Sequence, residues 1–227
     1  MNVIILEGRN DLIFIETLFN KIFKMHRFVK YGHKKSRGYR EMMDCILNEN
    51  KYNYLKENFG FVIYGDNGKT TVISKIIPRF TYDVIRKIPE KLTVLVILDE
   101  NGTSSHYTIE QICKNIKSKN IPYANISCGR TIYVSSDIDS SYAIELKVYF
   151  ISQSLEKNLV AASLEHIKIK QILKEKLMYE DPHKALNQIA MILGISKDDL
   201  ICKSIIEGWF NDTPWFTKLI DNLKEIV

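Results

Sequence analysis

The run from Leu92 to Leu98 (Leu-Thr-Val-Leu-Val-Ile-Leu) constrains the fold more than any other segment. It is far shorter than the roughly 18 apolar residues that suggest a bilayer span. It is rich in β-branched residues and lacks the polar alternation of a half-exposed strand. It therefore reads as a strand buried on both faces. Such a strand needs a layer packed on each side of its sheet, and the neighbouring segments supply them. Asn2 to Leu6, Phe28 to Tyr31 and Phe59 to Tyr64 are further short strand candidates, with weaker ones at Pro122 to Ser127 and Arg130 to Val134. Between them, Ile13, Phe14, Leu18, Phe19 and Ile22 recur at helical spacing. Thr70 to Phe80 and Thr108 to Ser118 suit helices, and Gly38 to Asn58 reads as partly helical. Strands alternating with helices predict an α/β fold, a mostly parallel sheet with helices on both faces.

After about Asp139 the pattern turns helical. Ser141 to Lys157 and Leu164 to Met178 read as helices. Asp181-Pro182 is a helix start with a capping Asp and Pro in the first turn, and Gly194 ends that helix. Ser196 and Thr213-Pro214 start two more. The expected division is an α/β domain over residues 1–155 and an α-helical C-terminal region over 156–227. The cluster Trp209, Phe210, Trp215 and Phe216 is expected to pack among these helices. Their outer surface is where a second copy or a protein partner would dock.

Composition narrows the function classes. Lys and Arg number 32 against 27 Asp and Glu, a net charge of +5 that permits a polyanionic partner without requiring one. No membrane span is expected. Glu7, Arg9 and Asp11 interrupt any secretory leader pattern, so the expected location is cytoplasmic. Cys45, Cys113, Cys128 and Cys202 are far apart with no CxxC pair. They are expected to be buried free thiols, which argues against a zinc ribbon or a disulfide framework.

In an open α/β sheet, ligands collect beyond the carboxyl ends of the strands. Glu7 directly follows the first strand, and Asp99, with Glu100 and Asn101, follows the strongest one. Asp11 is one helical turn into the first helix, and Asp137 and Asp139 follow the last strand candidate. If these strands are neighbours, the carboxylates converge and call for a cation. Mg²⁺ takes one or two protein carboxylates plus waters and phosphates, which suits phosphoryl transfer.

The segment Val3-Ile4-Ile5-Leu6-Glu7-Gly8-Arg9-Asn10-Asp11 resembles the first motif of the TOPRIM superfamily, a hydrophobic strand running into Glu-Gly with an Asp shortly after. Leu95-Val96-Ile97-Leu98-Asp99-Glu100-Asn101 stands where that family has a strand ending in Asp-x-Asp. The resemblance covers roughly residues 1–150. Members include primases, topoisomerases and nucleases that make or break phosphodiester bonds with acidic residues and Mg²⁺ (or Mn²⁺). It implies a nuclease or related phosphoryl-transfer enzyme acting on DNA or RNA. Glu7 would be the general acid/base or a metal ligand, Asp99 the principal ligand and Asp11 an assistant. Asp137 and Asp139 would correspond to an accessory acidic motif. Tyr142 to Phe150 resembles a Glu- and Leu-rich helix of nuclease-type members, which draws attention to Glu145. The chain departs from the family at Asn101, which replaces the second Asp and removes one negative charge. That departure motivates the alternative, a catalytically decayed module that binds nucleic acid or a protein partner without turnover.

Two basic features fit a nucleic-acid partner. From Thr17 to Arg40 there is no acidic residue, and Arg27, Lys30, Lys34, Lys35, Arg37 and Arg40 are interleaved with Phe28, Tyr31 and Tyr39. Cations can neutralise phosphates, and aromatic rings can stack on bases. Gly65-Asp66-Asn67-Gly68-Lys69 lacks the full phosphate-loop pattern. It still reads as a glycine-flanked turn before a helix, with Lys69 placed to meet a phosphate.

Overall fold

A computed structural model describes residues 1–32, 38–65 and 68–226. Chain order runs β1 (Asn2–Leu6), α1 (Arg9–Lys21), β2 (Phe28–Tyr31), α2 (Gly38–Ile46), α3 (Glu49–Asn58), β3 (Phe61–Gly65) and α4 (Gly68–Thr71). A π-helical turn (Val72–Ile76) leads into α5 (Ile77–Val84), then β4 (Lys91–Asp99), α6 (Ser105–Lys117), β5 (Ala124–Cys128), β6 (Thr131–Ser136) and β7 (Ala143–Ile151). The chain closes with α7 (Leu155–His166), α8 (Gln171–Met178), α9 (Pro182–Leu193), α10 (Lys197–Ile206) and α11 (Pro214–Lys224).

The strands form one seven-stranded sheet in the order β2-β3-β1-β4-β7-β6-β5. The pairings from β2 through β7 are parallel, and β6 runs against both its neighbours. The expected α/β architecture with a mostly parallel sheet is present. β4 shows why its sequence is apolar throughout: Leu92, Val94, Val96 and Leu98 enter the core on one face, and Leu95 and Ile97 the core on the other. The first of these faces is covered by α2, α3, α5 and α6. The second is covered by α1 together with α7, α9, α10 and α11. The helical region 156–227 thus shares a core with the sheet and forms most of one covering layer. Phe14 of α1 packs against Phe210, Trp215 and Phe216, with ring centroids about 6 Å apart. This aromatic cluster is core.

One expectation fails in an informative place. Ser141 to Lys157 is not a helix: Ala143–Ile151 is β7, hydrogen-bonded along the whole length of β4. Glu145, Leu146 and Lys147 are good helix formers, but the segment also alternates. Ile144 and Leu146 face one core, while Tyr149 and Ile151 face the other. Burial beside β4 decides the outcome over intrinsic propensity. The helical pattern begins only at α7, where the Ser154 side chain accepts from Lys157 N–H. Leu164 to Met178 is likewise divided, between α7 and α8. The later boundaries fall where the caps indicated. Asp181 accepts from Lys184 N–H, Gly194 adopts φ 67°, and Ser196 and Asp199 cap α10 reciprocally.

The cysteine expectation also needs correction. Cys113 on α6 and Cys128 at the end of β5 form a disulfide, with Cα atoms 6.2 Å apart, while Cys45 and Cys202 are free. The pair is brought together by α6 folding back along the β5–β6 hairpin, a contact that spacing alone does not reveal. No described helix is long and apolar enough to cross a membrane.

Candidate active site

The sheet topology selects one place for a ligand. From β1 the chain leaves through α1 towards β2, on one side of the sheet. From β4, its neighbour, it leaves through α6 towards β5, on the other side. The crevice between their carboxyl ends is the topological switch point, where open α/β sheets bind ligands. Glu7 and Asp99 stand on either side of it.

The backbone holds each acid by one oxygen. Glu7 Oε1 accepts from Asp99 N–H at 2.6 Å, so the two strand ends are tied together through this carboxylate. Asp11 Oδ2 accepts from Gly8 N–H at 3.0 Å, one turn into α1. Asp99 Oδ1 accepts from Leu155 N–H at 3.0 Å, at the start of α7. The second oxygen of each takes no hydrogen bond from a described residue. These three carboxylates line a cleft of about 400 Å³.

Backbone bonds also bring α7 to the cleft. Beyond the strands proper, Glu100 N–H donates to Ile151 O at 2.9 Å and Asn101 N–H to Gln153 O at 2.8 Å. The β4–β7 ladder therefore continues past the sheet edge and delivers Ser154 and Glu156 beside Asp99. Glu156 Oε1 accepts from the Asn10 side chain at 2.7 Å, and His183 Nδ1 is 3.7 Å away. Asn101, at φ 45°, occupies a left-handed conformation that Asn tolerates better than most residues. Close backbone approach shapes the other wall. A Cβ on Gly65 would lie 2.9 Å from Gly8 O, so the end of β3 can meet the turn after β1 only as glycine.

Burial and mutual repulsion set the electrostatics. Burial pushes the Glu7 carboxyl up to about 7, with the Glu156 charge adding to it. The Asp99 N–H and the nearby Lys69 charge pull the other way. Asp99 rises to about 7 through burial, then through the charges of Glu7 and Glu156. Asp11, 8% exposed, is pushed well above the carboxylate range by burial and by Asp99, Glu156 and Glu7. Lys69 is the cation that opposes this at Glu7 and Asp99. Its ammonium is anchored on the carbonyls of Asp99 and Glu100, at 2.5 and 3.2 Å. Lys69 is thus spent on the acidic turn rather than aimed at open solvent.

Glu7, Asp11, Asp99, Asn101 and Lys69 meet here as their sequence positions suggested. Other candidates do not. Asp137 and Asp139 follow β6, which runs antiparallel, so they lie at the opposite edge, level with the start of β4. There Asp137 accepts from the Asn125 side chain, and Asp139 accepts from Ser141 N–H at 2.9 Å. Glu145, on β7, pairs with Lys91 at 2.7 Å and accepts from Tyr133 O–H at 3.0 Å, away from the cleft. Arg27 precedes β2 at that same far edge, and its guanidinium caps the carbonyls of Glu57 and Asn58. Lys30 pairs with Glu16, and Arg40 is exposed on α2. Phe28, Tyr31 and Tyr39 pack against the cores rather than forming an open stacking platform. Lys34, Lys35 and Arg37 lie outside the described residues.

Sequence reading missed Glu156, Asn10 and His183. The Ser154-Leu155-Glu156 helix start was the available signal for Glu156, masked by assigning helix to the strand before it. Among the described residues, no three His, Cys, Asp or Glu side chains stand ready to grip a metal ion between them. Comparison with protein-family models, curated proteins and solved structures finds no match.

Proposed function

We propose that this cleft is a TOPRIM-like phosphodiester site, a Mg²⁺-dependent (or Mn²⁺-dependent) nuclease or related phosphoryl-transfer centre acting on DNA or RNA. One observation carries the reading. Three carboxylates converge at the switch point, Asp11 and Asp99 buried and Glu7 half-buried, and each keeps one oxygen without a described hydrogen-bond partner. Burying like charges in this way is costly unless a cation joins them or protons neutralise them.

The donor set fits a hard divalent cation. All the donors are oxygens, and Mg²⁺ needs only one or two carboxylates, completing its shell with water and substrate phosphate. A preset cage of three side chains is therefore unnecessary. Asp99 would hold the ion, with Asp11 and Glu156 adding charge around it, and Glu7 would handle the proton. When bound, Mg²⁺ supplies charge neutralisation and polarises a phosphoryl oxygen. Glu7, poised near neutral pH by burial, is suited to accept or return a proton at its second oxygen. Glu156 supplies an acid that the Asn101 position lacks.

Incubation of the full chain with labelled DNA and RNA in Mg²⁺ or Mn²⁺ tests the proposal. Cleavage abolished by chelation and by Asp99→Asn is the expected result. Cleavage that persists in both Glu7→Gln and Asp99→Asn belongs to a contaminant and ends the assignment. Asn101 supports a second reading, a decayed module that binds without turnover. Activity that appears only after Asn101→Asp would favour it.

A further inference from the structure

We propose that the groove between α6 and the β5–β6 hairpin holds the sugar-phosphate backbone of the nucleic acid presented to the acidic cleft, an inference that rests on the reading of that cleft given above. The cleft is itself negative and repels a polyanion, so a substrate needs cations nearby. Of the described cations in the basic stretch between Thr17 and Arg40, Arg27 caps α3 at the far edge, and Lys30 is paired with Glu16.

The groove does concentrate them. Its volume is about 800 Å³, and Lys114 and Lys117 from α6 face Arg130 from the hairpin across it. All three are exposed, and none forms an ion pair with a described residue. The groove's acid, Glu110, lies 3.2 Å from His106. Lys114 and Lys117, three residues apart, are neighbours on one helix face. The Cys113–Cys128 bond fastens the two walls, fixing the separation between the lysines and Arg130. Cations on two fastened walls of an open groove suit a continuous chain of phosphates.

Position links groove and cleft. Asn101 lines the cleft, and Ser105 and His106, at the start of α6, line the groove. Only Gly102, Thr103 and Ser104 lie between them, which keeps the near end of the groove within a short reach of the cleft. The thirteen-residue α6 also turns its N-terminal end, with its positive dipole, towards this junction. Phosphate contacts of this kind position a substrate without reading its sequence.

The test is fluorescence anisotropy of labelled single-stranded and duplex DNA and RNA with the full chain in EDTA, across a salt series. The triple variant Lys114→Ala/Lys117→Ala/Arg130→Ala should bind at least about tenfold more weakly, with a salt slope shallower by roughly 2 to 3. The single Arg130→Ala variant, whose side chain is exposed, should show part of both effects. Equal affinity and slope in wild type and triple variant would overturn the proposal, as would absence of wild-type binding. Wild-type binding that needs the three cations, without metal-dependent cleavage, would leave the groove standing and remove the catalytic reading of the cleft.

Discussion

Asp99 and Glu145 lie on adjacent strands, β4 and β7, and both are largely shielded from solvent, with Asp99 6% exposed and the Glu145 side chain 13% exposed. Their surroundings are opposite in character. Glu145 has a cation, Lys91, in contact and a Tyr133 hydroxyl to accept from, and the Lys91 hydrogen bond holds its carboxyl below the ordinary range. Asp99 faces Glu7 and Glu156, and burial with their charges raises it to about 7. One acid is satisfied by the fold. The other lacks a neutralising partner of that kind at the sheet's carboxyl edge, beside the topological switch point. The difference marks Asp99, and not Glu145, as the candidate functional carboxylate.

The comparison breaks most sharply on activity. Asp99→Asn keeps an oxygen to accept from Leu155 N–H but removes the charge. If the cleft is the catalytic centre, metal-dependent cleavage should fall by about 10² to 10³-fold, the scale of losing a main electrostatic contributor. Single-turnover assays at saturating Mg²⁺ give this number. Retention of more than half the wild-type rate would make Asp99 as structural as Glu145.

Glu156→Gln sharpens the same contrast at an acid the sequence did not reveal. The amide can still meet Asn10, so the fold is preserved while charge around the cleft drops. The expected effect is about a tenfold rise in the Mg²⁺ concentration needed for half-maximal cleavage, the lower end for altering a metal site's surroundings. A metal titration that overlays the wild type would confine Glu156 to packing.

What was legible divides along similar lines. The parallel sheet could be read because β1, β3 and β4 are apolar on both faces and too short for anything but buried strands. Glu7 and Asp99 followed from one rule about strand ends. Glu156 did not, because its place depends on β7 lying beside β4, and Glu145-Leu146-Lys147 has helix propensity that burial overrides. Asp137 and Asp139 misled for a complementary reason. They too end a strand, but β6 runs in reverse, and strand direction is a property of pairing rather than of local sequence. The Cys113–Cys128 bond depends on how α6 meets the hairpin and was equally invisible.

A smaller effect concerns stability and pH. In the folded chain Glu7 and Asp99 titrate near 7, against ordinary values of 4.5 and 3.8. Between those limits the folded state binds more protons than the unfolded one, so their contribution is fully present at low pH and lost as pH rises through 7. Thermal melts should therefore show wild type losing stability from about pH 5 to pH 8 relative to Asp99→Asn, by on the order of 1–3 kcal/mol. Adding Mg²⁺ at about pH 8 should recover part of the loss in wild type and less in the variant. Parallel pH profiles with no Mg²⁺ response would mean that these carboxylates are not electrostatically stressed.

The smallest effect belongs to the satisfied acid. Glu145→Gln leaves a neutral oxygen for the Tyr133 hydroxyl and removes the ion pair with Lys91, whose own side chain is 58% exposed. An exposed partner is screened by water, so the cost should be no more than about 1 kcal/mol, read as a shift of a few degrees in Tm. Cleavage should stay within about twofold of wild type, because the register sets Glu145 opposite Thr93, six residues before Asp99 on β4. A larger loss of activity than of stability would place Glu145 in the chemistry and erase the distinction between the two strands' acids.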